Sequence, residues 1–161
     1  MRVVDARPWL FGGVLAWAGC LDSPGDGNPG GPPDAATMIH LTRAPDVAIE
    51  DPGVTSDSLA VVPECSIATV SVEITIYHDD RGDLEIVLES PAPRALRLKD
   101  ASASEVGGDV IGTYPLTLVP VESLDLLADT NATGQWTLSV RDTSAGTSGT
   151  LDSWGLTIDC R

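Results

Sequence analysis

The sequence predicts an all-β protein with the architecture of an antiparallel, jelly-roll-like β-sandwich of about seven to nine strands. Several segments alternate apolar and polar residues with the period of two that is typical of half-buried strands. Clusters of Gly, Pro, Asp and Ser separate these segments about every ten residues. No segment shows the periodicity of an amphipathic helix, so short strands joined by turns are the expected elements.

Composition restricts the class of protein. The chain has 161 residues, of which 42% are hydrophobic, so it is long enough for one domain of ordinary size. The 24 acidic residues outnumber the nine basic ones, and the formal net charge of −15 argues against nucleic acid as a partner. Such a surface suits an extracytoplasmic protein or one that attracts cations.

Residues 1–19 are typical of an export signal. Two arginines precede an apolar run that is too short to span a bilayer. Ala18 and Gly19 stand directly before Cys20 and resemble a bacterial lipobox, with Trp17 where that pattern has Leu, Val or Ile. We expect cleavage before Cys20 and an acyl anchor on it, which makes the protein a periplasmic or cell-surface lipoprotein. Ordinary secretion and a different translation start are the alternatives.

Residues 20–60 are predicted to be a flexible tether and lead-in. The first part is rich in Gly, Pro and Asp and lacks apolar periodicity, so burial cannot offset the entropy lost on ordering. Pro45 and Pro52 interrupt the second part, where a short strand near Met38 is the one ordered alternative. His40 is expected to be a solvent-facing linker residue. The folded domain is therefore expected at residues 61–161.

Four segments of this domain predict strands with one buried face. Their inward residues are Ala68, Val70, Val72, Ile74 and Ile76; Leu84, Ile86 and Leu88; Trp136, Leu138 and Val140; and Trp154, Leu156 and Ile158. Shorter strands are expected at residues 95–98, 110–114, 116–121 and 124–126.

The cysteines are interpreted from their positions. With Cys20 acylated, Cys65 and Cys160 remain at the two ends of the domain. An exported protein meets an oxidising compartment, so we expect a disulfide between them. Two separate reduced thiols are the alternative.

Five spaced motifs occur in one order within residues 61–161. They are His78 with Arg81, Gly82, Asp83 and Leu84; Ser90 and Pro91; Gly134, Trp136 and Leu138; Val140 and Asp142; and Gly149, Leu151, Trp154 and Leu156. Together they resemble the P domain (P/Homo B domain) of the proprotein convertase family, which includes furin and kexin. The sequence departs from the family after Pro91, where "APRALRL" replaces the usual Gly-Thr turn, and in the shortened central loop "KDASASEVGGDV".

The resemblance implies a non-catalytic module that stabilises, docks on or regulates a separately encoded, subtilisin/kexin-like serine protease. A serine nucleophile needs a histidine base held by a carboxylate. The two histidines, His40 and His78, lie in no recognisable nucleophile motif, and a subtilase catalytic domain is absent from the sequence. We therefore expect no enzymatic activity, and a protease or an envelope protein as partner.

The tripeptide Arg81, Gly82 and Asp83 has three interpretations. We expect a turn into the next strand, with glycine supplying an unusual φ and Asp83 bonding local backbone groups. A contribution to calcium binding is the second interpretation. Integrin-type adhesion is the third, and it requires display at an exposed loop tip.

Calcium is the candidate cofactor. The candidate ligands are Asp79, Asp80, Asp83, Asp142 and Asp152, since calcium takes hard oxygen ligands. The resemblance raises this expectation because convertases depend on calcium. The alternative is that each carboxylate caps its own turn.

Two further functions compete with the protease-associated one. A carbohydrate-binding module needs an exposed aromatic platform, whereas Trp136 and Trp154 fall on the inward phase of their strands and are expected in the core. An adhesion or assembly module of the cell envelope is the other alternative, and the polar strand faces identify no partner for it.

Overall fold

A computed structural model describes residues 37–161, and nine strands make up most of this part of the chain. They are β1 (Met38–Arg43), β2 (Val47–Ile49), β3 (Gly53–Val61), β4 (Ile67–His78), β5 (Leu84–Ser90), β6 (Arg94–Lys99), β7 (Val110–Tyr114), β8 (Gly134–Asp142) and β9 (Gly149–Cys160). Short 3₁₀ helices span Arg81–Asp83 and Leu124–Leu127. The predicted signal peptide, the first part of the tether and Cys20 lie outside the described residues.

The strands form two antiparallel sheets. The first has the order β1-β9-β4-β7, with β2 also paired to β9, and the second has the order β3-β8-β5-β6. The predicted all-β sandwich is thus confirmed. No helix in residues 37–161 has the length and apolar composition needed to cross a membrane.

The core lies between the sheets and follows the predicted alternation. Trp136 and Trp154 are both buried, with exposed fractions of 0% and 1%. The alternation differs from the prediction at the start of β4, where Ile67 is buried and Ala68 is only half-buried. A bulge shifts the register between Ile67 and Thr69, so the inward phase changes by one residue there.

The predicted start of the domain at residue 61 is wrong. Strand β3 pairs with β8 along its whole length, and β1 pairs with β9 from Met38 to Arg43. Residues 38–60 therefore supply edge strands to both sheets and are not a lead-in. His40 is exposed as predicted, but it lies on β1, with its Nδ1 2.9 Å from the hydroxyl of Thr157 on β9.

The minor strand predictions have mixed outcomes. Those at residues 95–98 and 110–114 are confirmed as β6 and β7. Residues 116–121 form a loop instead, which begins with a turn in which the N–H groups of Thr117 and Leu118 donate to the carbonyl of Thr113. Residues 124–126 belong to a 3₁₀ helix.

A disulfide joins Cys65, just before β4, to Cys160 at the end of β9, which confirms the predicted pairing. The bond closes a sequence separation of 95 residues and ties two neighbouring strands of the first sheet together. In the chain-entropy model a loop of this length stabilises the fold by roughly 4–5 kcal/mol.

Candidate functional site

The family motifs meet at one end of the sandwich, which we call the motif end and define as residues 78–83 and 142–149. His78 is the last residue of β4 and Asp142 the last of β8. The imidazole Nε2 of His78 lies 3.1 Å from Oδ2 of Asp142, and both side chains are fully buried. Each residue continues the inward phase of its strand, so this buried polar pair closes the end of the core.

The second ring nitrogen of His78 contacts the backbone of Asp80. Nδ1 lies 2.8 Å from the Asp80 carbonyl oxygen and 3.1 Å from the Asp80 nitrogen. A neutral ring accepts the N–H of Asp80 at this atom, and a protonated ring donates to the carbonyl. Both ring nitrogens therefore have protein partners in either protonation state.

The close contact between Gly149 and His78 explains why glycine is needed at position 149. A Cβ at Gly149 would collide with the imidazole ring and with the carbonyl oxygen of Tyr77. Any larger residue would displace His78 from Asp142. His78, Asp142 and Gly149 thus belong to one packing arrangement.

Arg81, Gly82 and Asp83 form a 3₁₀ turn into β5, which is the predicted turn role. The carboxylate of Asp80 caps the turn by accepting the N–H of Gly82 at 2.9 Å. Gly82 is buried, so the tripeptide is not displayed at an exposed loop tip.

The predicted reason for Gly82 is wrong. Its φ is not positive; instead, a Cβ there would collide with the carbonyl oxygens of Ser102 and Glu105. Glycine is needed for close approach of the 102–105 segment. Asp83 does bond its surroundings: its carbonyl accepts from the N–H and hydroxyl of Thr143, and its carboxylate accepts from the hydroxyl of Thr147.

A charged cluster holds the central loop against this turn. The carboxylate of Glu105 lies 2.7 Å from Nζ of Lys99 and 3.2 Å from Nε of Arg81. Lys99 is 9% exposed, and its ammonium also donates to the carbonyls of Leu84 and Asp100. Sequence patterns did not identify Lys99 or Glu105, because their partners lie on other elements.

Tyr114 lies at the end of β7, next to this cluster. Its side chain is almost entirely buried, with an exposed fraction of 3% for the residue. Burial, and secondarily the negative charge of Glu105, raises the pKa of Tyr114 from its ordinary value of 10.0 to about 12. The protonated phenol is therefore the form that the fold stabilises.

The five aspartates proposed as calcium ligands do not form one site. Asp79 accepts from the N–H and hydroxyl of Ser148, and Asp142 accepts from the N–H of Ser144 as well as from His78. Asp152 contacts the hydroxyl of its neighbour Ser153. Within residues 37–161 no three acidic, histidine or cysteine side chains are grouped as metal ligands. In the structure Asp79 and Asp142 accept hydrogen bonds from the loop between β8 and β9, and Asp152 contacts its neighbour.

The motif tryptophans are structural anchors. The indole N–H of Trp136 donates to the carbonyl of Ala132 at 2.9 Å, and that of Trp154 donates to the carboxylate of Asp57 at 2.8 Å. Asp57 also accepts from Nε of Arg43 at 2.9 Å, which links β3, β9 and β1. Neither indole contributes to an exposed aromatic platform.

Ser90 and Pro91 form the turn after β5. The pyrrolidine ring of Pro91 packs against Gly134, where a Cβ would approach it to 2.7 Å. Gly134 also has a φ of 132°, which favours glycine. The Ser90 hydroxyl donates to the carbonyl of Ala92 and so stabilises the turn between β5 and β6, where the sequence departs from the family.

Comparison with known protein families gives a match that covers most of the sandwich. The sequence profile described as "Proprotein convertase P-domain" matches residues 67–158. This range includes every strand from β4 to β8 and nearly all of β9.

Two characterised proteins and one solved structure show where similar segments occur. The chain is 36% identical over 114 residues to the transglutaminase-activating metalloprotease of Streptomyces mobaraensis, covering 70% of this chain and 14% of that protein. It is 27% identical over 120 residues to leupeptin-inactivating enzyme 1 of Streptomyces exfoliatus, covering 74% and 24%. The fold matches the serine protease of Aeromonas sobria, solved in complex with a chaperone, with a TM-score of 0.57 and 22% identity over 78% of this chain and 27% of that one. The chain thus spans less than a third of the length of each.

Proposed function

The chain belongs to the proprotein convertase P-domain family. We propose that it is a non-catalytic module that docks on, stabilises or regulates a separately encoded protease. One observation carries this proposal. Residues 67–158 match the P-domain family model, and segments similar to this chain occur in proteins that are named as proteases.

The geometry of His78 supports a structural role for the motif end. A general base needs a free ring nitrogen within reach of a nucleophile. In His78, Asp142 engages Nε2 and the backbone of Asp80 engages Nδ1, and the side chain is fully buried. Neither ring nitrogen of His78 is therefore free to accept a proton from a serine hydroxyl.

The partner is proposed to be a subtilisin/kexin-like serine protease. The similar proteins include one named as a serine protease and one named as a metalloprotease. The test therefore has to detect both classes of protease.

Affinity capture tests the proposal. The full chain with a C-terminal tag is immobilised and exposed to the culture medium and envelope extract of its source organism. A fluorophosphonate probe labels serine hydrolases in the eluate, casein zymography with and without a zinc chelator detects metalloproteases, and mass spectrometry identifies each. The full chain with Trp136→Ala is the matched control, because loss of a buried indole disrupts the core. Capture of a protease by the wild-type chain alone is the expected result, and capture of none overturns the proposal.

We also propose that the protein is exported and anchored through an acylated Cys20, with secretion as the alternative. Acyl chains would hold the protein, and with it a docked protease, at a membrane surface. The Cys20→Ser variant is expected to move from the membrane fraction to the medium or periplasm. Equal membrane retention of the variant and the wild-type chain would exclude the anchor.

A further inference from the structure

Exposed apolar side chains are concentrated beside the edge strand β7. Half of the large apolar residues exposed within residues 37–161 fall between residues 106 and 121. Ile111, Val119 and Val121 are 55%, 89% and 50% exposed, and together with Leu118 they line a pocket of about 360 Å³. We call these four residues the β7 patch. Apolar side chains grouped at the surface in this way mark a candidate interaction surface.

Charged residues line the pocket together with the β7 patch. They are Arg81, Lys99, Asp100, Glu105 and Asp109. Three of these five residues are acidic, and a mixture of apolar and charged side chains is common at protein–protein interfaces.

The backbone around the patch is fixed at both ends. Thr117 and Leu118 donate their N–H groups to the carbonyl of Thr113, at 2.8 and 3.1 Å. The N–H of Val121 donates to the carbonyl of Leu98, at 3.2 Å. The exposed side chains are thus presented by a segment that is already ordered, which lowers the entropy cost of binding.

Two occupants of the patch are disfavoured. A second copy of this chain would bring two molecules of net charge −15 together, which opposes association. The tether has too little apolar surface, because residues 21–36 contain Leu21 as their single large apolar residue. A separate protein with a basic surface complements the net charge of −15 and the acidic majority among the charged residues of the pocket.

We propose that the β7 patch is the surface through which this chain docks on its protease, and that the facing surface of the protease has an apolar ridge bordered by basic residues. This inference rests on the proposed function and specifies its contact surface. The apolar ridge fills the pocket, and the basic border meets the acidic surface of this domain.

The test uses the full chain and the purified protease that the wild-type chain captures. Val119→Asp places a charge within the patch, and Val62→Asp places the same charge on a valine that is 79% exposed directly after β3 and does not line the pocket. Isothermal titration is expected to show binding at least about tenfold weaker for Val119→Asp. The affinity of Val62→Asp should stay within about twofold of wild type. Circular dichroism and thermal unfolding check that both variants fold, and Ile111→Asp replaces Val119→Asp if the latter does not.

Each outcome separates the two proposals. If Val119→Asp and Ile111→Asp bind the protease as tightly as wild type does, the β7 patch is not the docking surface, although the protease-docking function stands. If the wild-type chain captures no protease, both proposals fail.

Ionic strength tests the basic border independently. Raising the salt from about 50 to about 500 mM shortens the Debye length severalfold and should weaken binding of the wild-type chain about fivefold or more. Binding that is unchanged or tighter at high salt would contradict a basic border on the protease.

Discussion

The imidazole of His78 lies 3.1 Å from the carboxylate of Asp142, and this buried contact joins the first sheet to the second. His78 ends β4 and Asp142 ends β8. Because Asp142 also accepts the N–H of Ser144, one carboxylate fixes both the end of the core and the start of the following loop. The motif end is therefore held by a polar pair that has no contact with solvent.

The variant Asp142→Ala is expected to destabilise the domain by about 1–3 kcal/mol, because it leaves a buried ring nitrogen of His78 without its hydrogen-bond partner. Urea unfolding measures the loss. Asp152→Ala is the matched control, since the Asp152 carboxylate contacts only the adjacent Ser153 hydroxyl, and its cost should be below about 0.5 kcal/mol. Equal losses in the two variants would show that the buried pair has no special role.

The raised pKa of Tyr114 predicts how the free energy of unfolding depends on pH in the alkaline range. Because its pKa is raised from 10.0 to about 12 in the folded state, the folded protein keeps its phenol protonated where the unfolded chain ionises. This contribution is complete below pH 10 and is lost as the pH rises from about 10 to about 12, for a total of about 2–3 kcal/mol.

The Tyr114→Phe variant isolates this effect. The difference in unfolding free energy between wild type and variant should be constant up to about pH 9. Between about pH 9 and pH 12 the wild type should lose about 2–3 kcal/mol of stability relative to the variant. Other groups titrate in both proteins and cancel. A difference that is independent of pH would contradict a phenol whose pKa is raised by burial.

A chain that begins at residue 61 is expected to lose cooperative unfolding. It lacks β1, β2 and nearly all of β3, so β8 and β9 are left with unpaired edges. It also loses Asp57, the acceptor of the Trp154 indole N–H. A chain that begins at residue 37 keeps all nine strands and serves as the control in calorimetry. A sharp transition at similar temperature for both chains would restore residue 61 as the domain boundary.

Calcium is expected to have little effect on thermal stability. An ion at 100 times its dissociation constant stabilises the folded state by about 2.7 kcal/mol, and each kcal/mol raises the Tm by about 2–4 °C in a chain of this size. Since the candidate aspartates are engaged in separate hydrogen bonds, we expect the Tm of the full chain in millimolar calcium to match that in a chelator. A rise of several degrees that Asp79→Asn abolishes would establish a calcium site.

The sequence predicted the core and the motif end well because both follow strand periodicity. His78 stands two residues after Ile76, and Asp142 stands two residues after Val140, so the inward phase already places both polar residues at the end of the core. Their mutual contact was not foreseen, because the two strands belong to different sheets and their pairing is set by the tertiary fold.

Strand β3 was missed for a specific physical reason. Its inward positions include Thr55 and Asp57, which break the apolar alternation. The hydroxyl of Thr55 donates to the carbonyl of Ala48, and Asp57 accepts from Trp154, 97 residues away. These polar residues are satisfied by partners that a local pattern cannot reveal.

The loop of the β7 patch was mistaken for a strand because apolar residues recur between Leu116 and Val121. Pro115 and Pro120 lack the N–H groups that a strand ladder needs. Leu116, Val119 and Val121 are exposed in the resulting loop, whereas Leu118 packs against the core.

Protection of a purified protease tests the docking function most directly. The protease captured by the full chain is incubated at a temperature at which it inactivates, with an equimolar amount of the wild-type chain, of the Val119→Asp variant or of neither. We predict that the wild-type chain lengthens the half-life of protease activity about threefold or more, while Val119→Asp leaves it close to that of the protease alone. An unchanged half-life, together with no binding by isothermal titration, would contradict a protease-docking module.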